Sequence, residues 1–169
     1  MPNSPIVSFR NATLDDVSLL RGWDEQDHVK QSDPDSDWMW ETELAHDPDW
    51  REQLIAEVEG KPIGFVQIID PALEESQYWG DIAPNLRAID IWIGEPDYLG
   101  KGFGSQMMKL ALARCFQTPE VTAVLIDPLT SNKRAHRFYK RLGFKFLEQR
   151  MFGEDDCFVF QITRKDYQP

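Results

Sequence analysis

Residues 88–104 read Ala-Ile-Asp-Ile-Trp-Ile-Gly-Glu-Pro-Asp-Tyr-Leu-Gly-Lys-Gly-Phe-Gly, and this stretch decides the fold. Its apolar first half predicts a β-strand, and its second half predicts a glycine-rich loop. An amphipathic helix is predicted to follow over residues 105–116. The loop and the first helical residue are Leu99, Gly100, Lys101, Gly102, Phe103, Gly104 and Ser105. A strand, a glycine loop and a helix in this order are typical of sites that bind phosphate groups.

The glycines and the lysine of this loop suggest an anion site. Without a Cβ atom, the backbone at Gly100, Gly102 and Gly104 can adopt left-handed conformations and approach a ligand closely. The N–H groups at the start of the next helix have no acceptor within that helix, and Lys101 adds a positive charge. The stretch therefore predicts a phosphate cradle. A glycine-rich turn that only joins strand to helix would have the same pattern.

Spacing separates the known kinds of phosphate loop. A Walker-type loop fails because Glu95 holds the position of its first glycine and Gly102 follows the lysine where Ser or Thr is needed. A dinucleotide-binding fingerprint is weak because Ser105 or Met107 stands where its third glycine belongs. What remains is a Gly-x-Gly-x-Gly loop between a strand and a helix in the middle of the chain.

The length and composition indicate a single folded domain. The chain has 169 residues, of which 41% are hydrophobic, and this favours one globular domain over residues 1–169. No apolar run is long enough to span a bilayer, and residues 1–5 do not resemble a secretory signal. Two cysteines, Cys115 and Cys157, do not form a disulfide framework or a metal cluster. We therefore expect buried thiols, a cytoplasmic location and no membrane partner.

Charge is distributed unevenly along the chain. The net charge is -11, yet residues 15–52 hold thirteen acidic side chains against three basic ones, whereas residues 101–150 hold ten basic side chains against three acidic ones. A basic half can receive an anionic ligand and an acidic half can attract a cationic one, although two solvated faces would give the same runs. The sequence pI near 4.6 argues against a nucleic-acid partner.

The order of predicted elements indicates the fold class. Apolar periodicity and turn residues predict the order β, α, α, β, β, β, α, β, α, β, β, with residues 24–34 as a loop or short irregular helix. The strands are predicted at residues 5–12, 53–58, 62–69, 88–93, 121–127, 144–151 and 157–163. This order predicts a single α/β (α+β) domain in which a mixed, mostly antiparallel sheet of about seven strands is flanked by helices.

Two motifs now give a specific resemblance. The glycine loop after the fourth strand is followed by the helix Asn132-Lys-Arg-Ala-His-Arg-Phe-Tyr-Lys-Arg-Leu-Gly-Phe144, and together with the element order they resemble the GNAT N-acetyltransferase superfamily over nearly the whole chain. Within it, the chain looks most like the aminoglycoside 6'-N-acetyltransferases. That similarity rests on residues 64–67, 88–90, 99–104, 119–122 and 126–132. Most GNAT loops begin with Gln or Arg rather than Leu99, and the aminoglycoside enzymes share the leucine.

Asp90 is the residue on which a catalytic prediction rests most directly. It lies in mid-strand on the face opposite Ile89 and Ile91, and a carboxylate there is costly unless it has a partner or faces a cleft. We predict that Asp90 is the general base or orients the acceptor amine, as the resemblance also implies. A carboxylate tied to a neighbouring backbone group or arginine is the structural alternative. The resemblance further implies that Tyr139 is a general acid near the sulfur, where core packing is the ordinary role of such an aromatic.

The remaining site residues follow from the same resemblance. It implies acetyl-CoA as co-substrate, with the pyrophosphate on the loop from Leu99 to Ser105. The pantetheine arm is expected along the strand and the later helix, at Ile91, Trp92, Ile93, Asn132, Ala135 and Phe138. Asp127, otherwise a turn residue before Pro128, is expected to bind substrate ammonium groups. Trp79 and the acidic stretch around Trp38 are weaker candidates for the acceptor pocket, and core anchoring of the tryptophans is as plausible.

Metal chemistry is not predicted, and three functions compete. His28, His46 and His136 have no metal-ligand spacing and are expected at surface or structural positions. The first function is acetyl transfer to an aminoglycoside, and the second is transfer to a polyamine, amino acid or siderophore hydroxylamine. The third is a non-catalytic acyl-CoA-binding module, against which the presence of both Asp90 and Tyr139 speaks. A monomer or a homodimer fits the sequence equally well.

Overall fold

The computed structural model describes residues 5–34 and 37–169. Residues 1–4, on which the expectation of no secretory signal partly rests, lie outside this range. The strands are β1 (Val7–Asn11), β2 (Arg51–Val58), β3 (Lys61–Ile69), β4 (Leu86–Ile93), β5 (Ala123–Ile126), β6 (Lys145–Phe152) and β7 (Asp155–Thr163). The helices are α1 (Val17–Asp24), α2 (Asp27–Ser32), α3 (Trp40–Leu44), α4 (Phe103–Gln117) and α5 (Lys133–Arg141). Short 3-10 helices cover Leu14–Asp16 and Pro96–Tyr98.

The seven strands form one mixed sheet, which confirms the predicted fold class. Their order is β1-β2-β3-β4-β5-β7-β6. The pair β4 and β5 is parallel, whereas β1 with β2, β5 with β7 and β6 with β7 are antiparallel. The parallel pairing places Leu86–Ala88 opposite Ala123–Leu125, and β4 continues from there to Ile93.

Local signals explain most element boundaries. Glu59 and Gly60 join β2 to β3 with φ of 51° and 78°, which is the positive-φ pair that a two-residue hairpin needs. Thr13 and Asp16 form a capping box at the start of the first helical segment. The side chain of Asn132 accepts the Ala135 N–H at the start of α5.

The short helices and the last strand can be compared with the predicted elements. Helix α2 forms within residues 24–34, where a loop or a short irregular helix was predicted, and it is six residues long. Helix α3 covers the five residues Trp40–Leu44. Strand β7 begins before the predicted start at residue 157, since Asp155 and Asp156 pair with Phe152 and Met151.

The chain divides into two compact units, each with its own core. The first comprises residues 1–67 and 90–110, and the second residues 68–89 and 111–169. In the first, an aromatic and aliphatic cluster is fully enclosed; its members are Leu20, Trp23, Trp40, Ile55 and Phe65. In the second, β5 and β7 bury Val124, Leu125, Val159, Phe160 and Ile162. Both cysteines are buried thiols, as predicted.

Candidate functional site

Asp90 lies at the end of a short chain of side-chain amides. Gln67 of β3 donates from Nε2 to Asp90 Oδ2 at 3.0 Å, and Gln53 of β2 donates from Nε2 to Gln67 Oε1, also at 3.0 Å. Gln67 is 9% exposed, so the amide that joins the two bonds is largely buried. Gly64 permits the close approach of β3 and β4 here, because a Cβ at that position would lie 2.5 Å from the Trp92 carbonyl oxygen. The structural alternative from sequence was a backbone group or an arginine, and among the described residues the carboxylate instead accepts from a glutamine.

The carboxyl of Asp90 is tuned toward neutral pH. Asp90 is partly buried, and burial raises the pKa of its carboxyl from 3.8 to about 6. The hydrogen bond from Gln67 opposes this rise in pKa, whereas the negative charge of Asp33 adds to it. A carboxylate with a pKa of about 6 is ionised at neutral pH and basic enough to accept a proton from an amine.

An acidic and aromatic cluster lies in the same unit. Trp38 and Trp40 stack with ring centroids 5.1 Å apart, and Trp38 packs at 5.4 Å against Trp92. Their indole N–H groups donate to carboxylates, Trp38 to Asp33 at 3.1 Å and Trp40 to Asp24 at 2.7 Å. Burial raises the pKa of Asp24, as do the charges of neighbouring acids including Asp33. This acidic cluster favours cations.

The two tryptophans of this cluster differ in role. Trp40 is 2% exposed and belongs to the core, so core anchoring, one of the two interpretations from sequence, describes it better. Trp38 keeps part of its surface exposed. Trp92 follows Asp90 on the same face of β4, and its ring packs 4.8 Å from Phe65. Its indole Nε1 is buried without a hydrogen-bond partner among the described residues.

The glycine loop has the backbone geometry that a phosphate cradle requires. Gly100 and Gly102 have φ of 70° and 85°, and within the described chain a Cβ at either position would meet no atom within 4 Å. In the described part of the chain, the backbone N–H groups of residues 100–105 donate to no other backbone group. Phe103 is buried and its ring lies 5.3 Å from Tyr98, which anchors the loop while Lys101 stays exposed. The loop therefore has donors, space and positive charge for a diphosphate.

Acetyl-CoA is the co-substrate that the sequence resemblance implies, and we expect Gly102→Ala to raise the KM for it about tenfold. An alanine at a φ of 85° is strained, at a cost of roughly 1–2 kcal/mol, and its methyl group occupies the space left for the ligand. Gly60→Ala is the matched control, because Gly60 has a φ of 78° and equal free space but lies in the β2–β3 turn. Steady-state kinetics and thermal melts of both variants separate the effects. Equal KM values in the two variants would contradict a ligand-binding role for the loop.

In the second unit, Asp127 is held by a residue that sequence reasoning missed. Tyr78 donates from its hydroxyl to Asp127 Oδ2 at 2.6 Å, and its ring stacks on Phe152 at 4.6 Å. Trp79 next to it is only 3% exposed, packs edge-on against Phe152 and lies beneath Arg150, which donates to the Trp79 carbonyl oxygen. Trp79 thus has the surroundings of a core residue, and its exposed neighbour Tyr78 is the aromatic side chain beside the carboxylate.

Helix α5 positions the later set of predicted residues. Asn132 uses its Oδ1 atom to cap the helix at the Ala135 N–H, at 3.2 Å. Tyr139 is buried, and its ring packs between Phe138 at 5.4 Å and Phe144 at 5.7 Å. The ring of Tyr139 is therefore part of the core of its unit, and core packing is the ordinary role that the sequence suggests for an aromatic residue at this position. The proton-donor role stays a prediction.

The histidines occupy structural or surface positions, as expected. His28 contacts the Ile93 carbonyl oxygen at 2.8 Å, and buried His136 contacts that of Leu129 at 2.9 Å. His46 is exposed. Over residues 5–34 and 37–169, no three His, Cys, Asp or Glu side chains are grouped as metal ligands. In the same residues, no helix has the length and apolar character that crossing a bilayer demands.

The amino-acid sequence was compared with protein families and with curated proteins. The family model described as an acetyltransferase (GNAT) domain matches residues 12–152. Among curated proteins, the chain is 30% identical over 153 residues to an aminoglycoside N(6')-acetyltransferase type 1 of Klebsiella pneumoniae, covering 82% of this chain and 74% of that protein. A kanamycin resistance protein of Rhizobium radiobacter is 36% identical over 74 residues, which cover 43% of this chain and 68% of that protein.

Solved structures agree with the fold. A crystal structure of the aminoglycoside acetyltransferase AAC(6')-Ib with coenzyme A and kanamycin superposes with a TM-score of 0.84 and 26% identity, covering 95% of this chain and 96% of that one. An AAC(6')-Ib structure with coenzyme A alone gives a TM-score of 0.83 at 26% identity, covering 95% and 96% of the two chains. The match extends over both compact units, so the likeness is not confined to the glycine loop.

Proposed function

Because the chain belongs to the GNAT acetyltransferase family and depends on acetyl-CoA, we propose that it acetylates a primary amine of a small polycationic acceptor, the 6'-amino group of an aminoglycoside. One observation carries the proposal. Asp90 accepts a hydrogen bond from buried Gln67 at 3.0 Å, and burial raises the pKa of its carboxyl to about 6, a rise to which the negative charge of Asp33 adds. Such a group both attracts a cationic acceptor and accepts a proton from it. The aminoglycoside relatives support the choice of acceptor.

Each side chain then has a proposed task. Acetyl-CoA supplies the activated acetyl group as a thioester. Asp90 accepts the proton that the acceptor nitrogen loses as it bonds to the acetyl carbon, and Tyr139 donates a proton to the departing sulfur. Asp127, oriented by the Tyr78 hydroxyl, binds a second ammonium group of the acceptor. The fit of the residues to acetyl-CoA rests on the open, positive-φ loop around Gly102.

Main-chain groups complete the proposed acetyl-CoA site. The N–H groups of residues 100–105 bind the pyrophosphate, since they have no other backbone acceptor in the described chain. Strand β4 pairs with β5 at Leu86–Ala88 and extends beyond that pairing to Ile93. The backbone of Ile91–Ile93 therefore binds the pantetheine arm as one strand binds another. We also propose one acetyltransferase domain over residues 1–169, since one family model matches residues in both compact units. The buried thiols support a cytoplasmic location.

A thiol-release assay tests the proposed acceptor. We expect the protein to release free coenzyme A from acetyl-CoA in the presence of kanamycin-like compounds, and we expect NMR of the product to locate the acetyl group on the 6' nitrogen. The matched control is an analogue with a hydroxyl in place of the 6'-amino group. Turnover only with polyamines, amino acids or hydroxylamines would show that the acceptor is not an aminoglycoside. Binding of acetyl-CoA without turnover on any amine would exclude an enzymatic role.

Tyr139→Phe tests the proposed proton donor. We expect kcat to fall by about 10²-fold, because the departing thiolate loses its acid, while the affinity for acetyl-CoA stays the same. The ring and its packing against Phe138 and Phe144 are preserved, so the melting temperature should change little. Tyr167→Phe is the control, since the Tyr167 ring also stacks on an aromatic side chain, Phe116 at 4.6 Å. A Tyr139→Phe variant with the turnover of the control contradicts the assignment.

A further inference from the structure

We propose that Gln67 and Gln53 are positioning residues for the reaction, and that they hold the Asp90 carboxylate through two side-chain amides aligned in one direction. The inference rests on the proposed role of Asp90 as the base. It extends that role to one residue of β3, Gln67, and one residue of β2, Gln53. The hydrogen bonds Gln53 to Gln67 and Gln67 to Asp90, each of 3.0 Å, are the geometry that carries it.

Donor and acceptor chemistry fixes the direction of the chain. An ionised carboxylate can only accept hydrogen bonds, so Gln67 must turn its NH2 group toward Asp90. The amide oxygen of Gln67 then faces the other way and needs a donor, because an acceptor left without a partner in a buried position is costly. The NH2 group of Gln53 is that donor. Gln53 therefore selects the orientation of the Gln67 amide that suits a charged Asp90.

The reverse orientation would oppose catalysis. If the Gln67 amide rotated by half a turn, its carbonyl oxygen would face the Asp90 carboxylate and repel it. The carboxyl would then favour its protonated form, which cannot accept a proton from the acceptor amine. The energetic preference is strong because Gln67 is buried and its interactions are poorly screened.

Gln53 is the outer residue of this pair of amides. It is half-buried in β2 and lines an open groove with Thr13, Asp15 and, from α3, Leu44. Its backbone carbonyl accepts the Ala12 N–H at 2.9 Å, which ties this part of β2 to the segment after β1. The side chain is thus held on a rigid element, as positioning of a catalytic group requires.

The pKa of Asp90 is the readout that a merely structural role would not move. The bond from Gln67 lowers this pKa, against burial and the charge of Asp33, which raise it. We expect Gln67→Met, which keeps the length of the side chain but has no amide, to raise the pKa of Asp90 by about one unit. The acid limb of kcat/KM should move by the same amount. Asp33 is unchanged in every variant, so its field cancels in the comparison.

Gln53 provides the sharper test. In Gln53→Glu the new carboxylate can only accept, so it should draw the NH2 group of Gln67 toward itself and turn the amide oxygen toward Asp90. Gln53→Met, which neither donates nor accepts in this way, should raise the pKa of Asp90 by less than Gln53→Glu. The new negative charge of Gln53→Glu also raises the pKa of Asp90 directly. The double variant Gln53→Glu with Gln67→Met keeps this charge but has no amide at position 67. Gln53→Glu should therefore raise the pKa of Asp90 by less in the Gln67→Met background than in the wild type.

The measurement is a pH titration of the Asp90 side-chain carboxyl by ¹³C NMR in the absence of substrates, together with pH profiles of kcat/KM. Gln149→Met is the matched control, since Gln149 donates its amide to Asp156 at 2.9 Å in an exposed hydrogen bond and should leave Asp90 unchanged. If Gln67→Met does not fold, the Gln53 variants decide. An Asp90 pKa that stays at the wild-type value in Gln67→Met and in Gln53→Glu overturns the positioning role. A raised pKa, with full turnover in Asp90→Asn, overturns the base assignment instead.

Discussion

Asp90→Asn is expected to lower kcat by about 10²- to 10⁴-fold and to leave the chain folded. The amide cannot accept the proton that the acceptor nitrogen gives up, so the reaction loses its base. The packing should persist because Asn is nearly isosteric, and its carbonyl oxygen can still accept from Gln67 Nε2. Steady-state kinetics with saturating acetyl-CoA and a thermal melt of the same preparation provide the two measurements.

The pH profile of the wild-type protein should carry the signature of the same group. Because burial raises the pKa of Asp90 to about 6, the carboxylate fraction falls below that pH and kcat/KM should fall with it, by about tenfold per pH unit. This acid limb should be missing from the residual activity of Asp90→Asn. An acid limb that persists unchanged in the variant would assign the titration to another group.

Stability should move in the opposite direction to activity. A carboxyl whose pKa is 3.8 when unfolded and about 6 when folded favours the folded state below pH 3.8, and this contribution is lost as the pH rises through 6. Asn carries no such charge. Asp90→Asn should therefore melt at a higher temperature than the wild type at pH 7 and above, and the difference should shrink toward pH 4.

Asp156→Asn is the matched control for this comparison. Asp156 also accepts a glutamine amide, from Gln149 at 2.9 and 3.0 Å, but neither residue belongs to the proposed site. The control should retain its turnover. Full turnover of Asp90→Asn with an intact fold would exclude the carboxylate as the base and leave it with a structural role.

Local sequence signals were sufficient for most of the fold. The β2–β3 hairpin follows from Glu59 and Gly60, and the start of α5 follows from Asn132, because a turn or a cap is decided by residues next to each other. The very short helices α2 and α3 were the hardest to predict. Segments of six and five residues are too short to show helical periodicity, and packing around buried Val29 and Trp40 accompanies them.

The candidate site was predictable only in part, since its partners are distant in sequence. The mid-strand position of Asp90 indicated a functional carboxylate, but nothing local indicated that Gln67, 23 residues earlier, would be its partner. The polar Gln67 in an otherwise apolar strand was an available signal. Tyr78 and Asp127 are 49 residues apart and meet through a loop without periodicity. The neighbouring tryptophan was the more conspicuous residue, and it proved to be buried.

Gly94→Ala is expected to destabilise the fold by about 3 kcal/mol or more, the largest effect on stability that the structure predicts. A Cβ at this position would lie 2.0 Å from Cδ2 and 2.2 Å from Cγ of the Trp23 ring. Neither side can yield easily. The Gly94 N–H donates to the Ile63 carbonyl oxygen at 2.8 Å, and the Trp23 indole N–H donates to Glu95 Oε1 at 2.9 Å.

The displaced ring should account for most of that loss, and a double-mutant cycle can demonstrate it. Trp23 is 2% exposed within its cluster, so Trp23→Leu alone should also lower the free energy of unfolding. In the Trp23→Leu background, Gly94→Ala should lower it far less than in the wild type, because the indole ring that collides with the new methyl group is absent. Gly22→Ala is the matched control, since within the described chain a Cβ there meets nothing within 4 Å, and alanine in α1 should stabilise by up to about 1 kcal/mol. Denaturant unfolding of the four variants measures each term. Strict additivity of Gly94→Ala and Trp23→Leu would mean that the collision with the indole ring does not cause the loss of stability.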